Sequence, residues 1–415
     1  MVFDQICGQI LRKLVPLSSK VSIFTLLSQH TLTFRHTQKH NYTNVYMKWK
    51  KDSYFDSIES IHKSTQLKPI IALKNRITAS PEQCIPISDV SKKGLQLEIP
   101  IKVVRFLRLY PSVFEEFTGP KYNLPWFRLT REAARLNDEE HTVYRDFKDE
   151  LQERLKRFVL LSVENKLPLK IVQGMLWYLG LPDDYLRDLD QNLDGCFEVV
   201  EMGDGLKGLS VVQPVKDEKI LSVIQSSALR SGVYNGGRME AISIPLFPSK
   251  GLRLRTKILD WLDGFQKLPY VSPYEECIDL CPGSDLAEKR VVGLLHELLS
   301  LFVEHAAERK KLLCLRKYLG LPQQVHKVFE RHPHVFYLSL RNNTCTAILK
   351  EAYCDKTGIE AHPLAEVRKK YIDLVKESKV ILKNRRLQNR SLCSGEGNLK
   401  INLGEDDTYN ASQLL

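Results

Sequence analysis

The strongest constraint on this 415-residue chain is that it repeats itself. Residues 97–114, LEIPIKVVRFLRLYPSVF, lie over residues 319–336, LGLPQQVHKVFERHPHVF, without a gap at an offset of 222. A third copy, LGLPDDYLRDLDQNLDGCF, begins at Leu179 and needs one extra residue to bring Phe197 into line. Three copies of one segment imply one supersecondary unit built three times, with neighbours sharing a core. Its most literal part is YLGLP, at 178–182 and again at 318–322.

Each copy predicts a form. Pro100, Pro182 and Pro322 are placed to end one helix and open another, because proline in a first helical turn gives up no needed N–H. After Pro100, the apolar Val103, Val104, Phe106, Leu107 and Tyr110 recur at helical spacing, as do Val325, Val328 and Phe329 after Pro322. Beyond the terminal Phe the period shortens: FEEF with WFRLT, FEVVE with LSVVQ and FYLSL with TAILKEA each predict a hairpin. The predicted fold is therefore α+β and predominantly helical, with tandem helix-turn-helix-plus-hairpin, winged-helix-like units at 85–131, 165–214 and 295–352. Long helical stretches at 131–162 and 290–313 link them. A helical solenoid without hairpins is the competing plan.

The net charge of +11 is distributed unevenly. Residues 1–51 hold eight basic residues against Asp4 alone, residues 366–390 carry +6, and the body from 52 to 365 carries only +1. A Ser/Thr/Lys-rich leader that is nearly free of acid is the composition of an organellar transit peptide, assigned to 1–45. Arg12 and Lys13 among Leu and Val favour the mitochondrion over the chloroplast; a basic, unstructured cytosolic N-terminus is the alternative. Residues 46–390 form the folded region, and the Gly-, Ser- and acid-rich 391–415 reads as a disordered tail. No apolar run is long enough to span a bilayer.

Chemistry-bearing motifs are few. Asp190 to Glu201 fits the twelve-residue calcium-loop pattern, yet it needs an exiting helix where FEVVEMGDGLKG reads as strand, and its residues already belong to the repeat. The nine cysteines are scattered with no CxxC pair, so neither a zinc site nor a disulfide framework is expected. The nucleophile-elbow, P-loop, HExxH and dinucleotide patterns are absent. The expectation is a non-enzyme with no cofactor and no small-molecule substrate.

Basic patches carry more information. Lys102, Arg105 and Arg108 fall three apart, on one face of the first copy's second helix, and Lys121, Trp126, Arg128 and Arg131 follow. Arg253, Arg255 and Lys257 alternate, as three cations on one side of a strand would. Arg316, Lys317, Lys327 and Arg331 form the third group. Cations beside aromatic rings suit single-stranded RNA, whose phosphates meet the charges and whose bases stack on the rings. A merely solvated face is the alternative at every patch. The middle copy differs, because Asp183, Asp184, Asp188 and Asp190 oppose Arg187 alone and would repel phosphate.

The chain resembles the plant organelle RNA recognition domain family in YMKWKKDSYFDSI, LKPIIALKNRI, IPIKVVRFLRLYPSVFEEF, FRLTREAARLNDEE, YLGLPDDYL, FQKLPYVSPYE, KYLGLPQQVHKVFERHPHVFYLSL, LKEAYCDKTGI and PLAEVRKKYIDLV, from Tyr46 to Val375. The resemblance implies an imported plant protein that binds organellar RNA and promotes group II intron splicing, with other splicing factors as possible partners. It departs from the family's repeat at NLDGC, where a Tyr-Pro ending is usual. Two other classes compete: an organellar DNA-associated transcription factor, since winged-helix-like units read duplexes, and a protein-binding scaffold of a splicing complex.

Overall fold

Among the described residues, nine short strands form three antiparallel sheets, one beside each of the repeated segments. The computed structural model describes residues 51–119, 124–187, 195–212, 220–249, 254–275, 280–341, 345–354 and 361–395. The predicted leader, Lys121, Arg253, residues 190–194 of the calcium-loop pattern and the tail beyond 395 lie outside these. The first sheet joins β1 (Cys84–Pro86), β2 (Phe114–Thr118) and β3 (Pro125–Leu129) in the order β1-β3-β2. The second joins β4 (Lys166–Pro168), β5 (Phe197–Met202) and β6 (Leu206–Val211) as β4-β6-β5. The third joins β7 (Ala306–Glu308), β8 (Phe336–Ser339) and β9 (Thr346–Leu349) as β7-β9-β8. The predicted hairpins are the last two strands of each sheet. The fold is α+β.

Each sheet's first strand was not expected from the sequence. It follows a longer helix, Ser64–Thr78, Lys148–Leu160 or Asp285–Ser300, and leads into a short one, Ile87–Ser91, Leu169–Gln173 or Arg309–Leu315. Between helix and strand stands a non-glycine residue with positive φ at the same repeat position: Gln83 at 51°, Asn165 at 52° and His305 at 45°. Left-handed backbone cannot continue a helix. The helical stretch expected over 290–313 instead ends at Ser300, turns through the left-handed His305, crosses a strand and resumes at Arg309. The 131–162 stretch is likewise two helices, Arg131–Asp146 and Lys148–Leu160, parted at Phe147 with φ −110° and ψ 22°.

A second left-handed position sits inside the motif that makes the repeat visible. Glu98 (φ 55°), Gly180 (φ 84°) and Gly320 (φ 61°) are equivalent, two residues ahead of the conserved-in-repeat prolines. The second helices begin only at Val103 and His326, so Pro100 and Pro322 lie in the turn and not in a first helical turn. In the middle copy residues 183–187 form turns, and among the described residues no helix lies between Pro182 and β5.

The two YLGLP segments meet each other's units. Val303 N–H donates to the Tyr178 carbonyl at 2.8 Å, and Val163 N–H donates to the Tyr318 carbonyl at 2.9 Å. Because 163 and 303, like 178 and 318, are separated by the same 140 residues, the second and third units are joined by a reciprocal pair of bonds, the pattern of an internal two-fold. Gly180 allows the close approach: a Cβ there would stand 2.6 Å from Val303 Cγ2. Leu179, Leu181, Leu319 and Leu321 are all buried in the single core that these two units share.

The first unit has its own core of Ile70, Leu73, Val103, Phe106, Leu107, Phe114 and Phe127, which Val375 of the long C-terminal helix Pro363–Gly395 completes. The same helix packs Val367, Tyr371 and Ile372 against Leu67, Ile71 and Leu136, tying the first unit to the other two. A buried Lys74 Nζ, 2.8 Å from Glu140 and 2.7 Å from Asn137 Oδ1, crosslinks the Ser64–Thr78 and Arg131–Asp146 helices. In the third sheet both faces are covered: Phe55 stacks on Tyr337 at 5.0 Å, and Phe55 and Ile61 pack with Ile348. That explains why FYLS and TAIL are continuously buried while β2 and β5 bury only their leading Phe114 and Phe197.

Candidate nucleic-acid interface

In the first unit the Val103–Arg108 helix buries Val103, Phe106 and Leu107 and leaves Lys102, Arg105 and Arg108 exposed, as the three-residue spacing predicts. They are not equivalent. Arg108 forms a two-pronged pair with Glu116, Nε to Oε2 and Nη2 to Oε1, both at 2.7 Å. The pair raises the Arg108 guanidinium and lowers the Glu116 carboxyl. Lys102, at the helix N-cap, and Arg105 have no carboxylate partner among the described residues. A phosphate meets them without first displacing an acid.

Alternation along the hairpin sets the second half of the site. Phe127 points into the core, so its neighbours Trp126 and Arg128 lie on the outer face of the sheet, opposite Phe117 and Glu115 of β2. Trp126 is half-buried, its ring tilted 44° to Phe117 with centroids 6.4 Å apart, and the Arg128 guanidinium lies 5.3 Å over the Phe117 ring. Arg128 also pairs with Glu115 across the strands at 2.9 Å and 3.1 Å. This is a ring-and-guanidinium platform of the kind on which unpaired bases stack. The helix cations and the platform lie on opposite sides of the β-layer and are not one continuous patch. Arg131, exposed at the start of the next helix, has no ion-pair partner among the described residues.

The other predicted residues are dispersed. Arg255 caps the Thr256–Lys267 helix and Lys257 lies within it, both exposed, so the expected alternating strand is a helix start. In the third unit Lys317 and Lys327 are exposed and Arg316 is half-buried. Arg331 turns inward: its Nη1 is 2.7 Å from Glu288, whose other oxygen holds His332 Nε2 at 2.9 Å. It braces the fold. In the middle unit Asp183 and Asp184 occupy the solvent-facing turn. Among the described residues no group of three His, Cys, Asp or Glu side chains could hold a metal ion, and no helix is long and apolar enough to cross a membrane.

The chain matches the Plant organelle RNA recognition domain over residues 50–380, most of its length. The chain belongs to the plant organelle RNA recognition family. Within the family it is 60% identical over 352 residues, 84% of this chain and 90% of the relative, to "Protein WHAT'S THIS FACTOR 9, mitochondrial" of Arabidopsis thaliana. It is 26% identical over 339 residues, 79% of this chain and 63% of the relative, to "Protein WHAT'S THIS FACTOR 1 homolog, chloroplastic" of the same plant. It is also 26% identical over 342 residues, 79% of this chain and 67% of the relative, to "Protein WHAT'S THIS FACTOR 1, chloroplastic" of Zea mays. No solved structure matches. The family domain begins at residue 50 and ends at 380, so it takes in all three sheets and most of the C-terminal helix.

Proposed function

We propose that this family member binds plant mitochondrial RNA and promotes the splicing of group II introns, as a non-enzyme whose RNA partner supplies the catalysis. Its nearness to a relative named as mitochondrial supports that organelle over the chloroplast, as does the leader with Arg12 and Lys13. The order helix, strand, two helices, two strands in the first and third units, with the first strand beside the last in all three sheets, supports a winged-helix-like unit as the repeated plan. The observation that carries the RNA reading is a contrast within this repeated plan. The first unit presents unpaired Lys102 and Arg105 after its turn and the third presents Lys327, whereas the second presents Asp183 and Asp184. The outer units meet phosphate, and Trp126 with Phe117 and Arg128 receives an unpaired base. Holding junction strands in this way biases an intron toward its active fold.

Sequencing the RNA that co-purifies with the protein from isolated mitochondria tests the proposal. Enrichment of intron-containing transcripts is expected; coverage that follows transcript abundance, or recovery of DNA instead, contradicts it. At the residue level, replacing Lys102 and Arg105 together with Gln lowers RNA affinity and reduces the slope of log K against log salt by about 1.5 to 2, with the melting temperature unchanged. Arg331→Gln does the opposite: it costs about 1.5–3 kcal/mol of stability, by leaving Glu288 with one partner fewer, and keeps the salt slope.

A further inference from the structure

The Pro363–Gly395 helix has two unlike halves. Up to Ser378 it is part of the body: Leu364, Val367, Tyr371, Ile372 and Val375 are buried, and its cations are matched. Lys369 pairs with Glu366, Lys370 with Glu139, and Lys376 with both Glu59 and Asp373. Ser378 is the last buried residue. From 379 to 389 every residue is exposed or half-buried, and over 379–390 there is no acid at all. Lys379, Lys383, Arg385 and Arg386 are exposed and have no ion-pair partner among the described residues. Spaced i, i+4 and i+7, Lys379, Lys383 and Arg386 lie on one face, and Arg385 is turned away from it around the helix.

Such a stripe works against its own helix, because like charges one turn apart repel. An anion laid along it removes that repulsion. The helix beyond Ser378 is about 25 Å long at 1.5 Å per residue, so it reaches well past the body. Its exit point is fixed: Ser112 N–H donates to Ser378 Oγ at 3.2 Å and Ser112 Oγ donates to the Leu374 carbonyl at 2.6 Å. Ser112 lies between the Val103–Arg108 helix and β2, at the junction of the helix cations and the hairpin.

We infer that residues 379–390 form a phosphate-binding arm that extends the first unit's RNA surface, gripping the backbone of the same RNA beyond the part held by Lys102 and Arg105. The inference rests on the RNA-binding reading above and adds to it a second contact of purely electrostatic kind. A backbone grip of this sort reads no sequence; it adds affinity and salt dependence.

The test uses the full chain and a fluorescent RNA hairpin with single-stranded flanks, titrated between about 50 and 200 mM salt. The variant Lys379→Gln, Lys383→Gln, Arg385→Gln, Arg386→Gln is compared with a control of equal charge loss, Arg135→Gln, Arg145→Gln, Lys267→Gln, Lys369→Gln. The control residues are exposed cations already beside carboxylates. The arm variant is expected to lose about 3 from the salt slope and at least about tenfold in affinity at the low-salt end, with circular dichroism and melting unchanged; the control keeps the wild-type slope. Equal losses in both variants mean that net charge alone is at work and overturn the arm. An arm variant with wild-type affinity and slope overturns it too, and leaves the exposed Val380 and Leu387 stripe as a protein contact. If the wild-type chain shows no salt-dependent RNA binding, it is the RNA-binding reading itself that fails.

Discussion

Gly180→Val is expected to be among the most damaging single substitutions in the chain, lowering the melting temperature by about 10 °C. Two costs add. The position has φ 84°, where a side chain costs about 1–2 kcal/mol. A Cβ would also lie 2.6 Å from Val303 Cγ2, 3.1 Å from Leu364 Cδ1 and 3.3 Å from Leu151 Cδ2, in the shared core, and overpacking of that kind costs about 1–3 kcal/mol. Gly320→Val carries the same backbone cost at φ 61°, yet among the described residues a Cβ there meets only Val163 Cγ2 at 2.9 Å, on a residue 70% exposed and free to turn away. It loses less than half as much. Glu98 holds the equivalent place in the first unit with φ 55°, so Glu98→Gly raises stability by about 1 kcal/mol. Thermal melts of the three variants check the ranking; equal effects of Gly180→Val and Gly320→Val would show that the two YLGLP turns are not packed as described.

Acid is the second large lever. His305, His334 and His362 are each lowered to about 4, in every case first by burial, with Arg154 adding to it at His305 and His362 and Lys350 at His334. In the unfolded chain these rings take up protons near the ordinary value of about 6.5. The unfolded state therefore binds more protons between about 6.5 and about 4, and stability that is complete above that window is lost as pH falls through it. Three such rings give a slope of up to about 4 kcal/mol per pH unit in mid-window. Glu297 runs the other way: burial raises its carboxyl despite bonds from Val223 N–H and Tyr274 O–H, both at 2.7 Å, and offsets part of one proton. Urea midpoints across pH 7 to 4 should show a net uptake of two to three protons on unfolding. Replacing His334 with Asn should flatten the curve; an unchanged slope would mean that this ring does not fold neutral.

Much of this architecture is written in the chain, and the exceptions have causes. The hairpins were legible because their strands begin at a repeated Phe and change the apolar period at once. The strand ahead of each short helix was not, since CIP, KLP and AAE are only three residues long, too short to show a period, and AAE lacks the aliphatic-Pro ending of the other two. The break at His305 was hidden because neither Gln83, Asn165 nor His305 is a glycine, so nothing marked the left-handed position. At the interface, the spacing of Lys102, Arg105 and Arg108 gave the face correctly. It could not show that Arg108 and Arg128 are answered by Glu116 and Glu115, because those pairs cross from helix to strand and from strand to strand. The pairing of Arg331 was hidden in the same way, because its partner Glu288 is 43 residues upstream. The basic run near the C-terminus was visible as charge, but only burial separates its matched half from the free one.

If the proposed electrostatic and stacking contacts hold RNA, competition between nucleic acids shows it most directly. Intron-derived RNA and duplex DNA of equal length are titrated against the full chain while salt is raised. Tighter binding of the RNA is predicted, with log K falling steeply and linearly against log salt. Equal or tighter binding of the duplex would contradict it in favour of a DNA-associated role, and binding to neither would leave a protein scaffold.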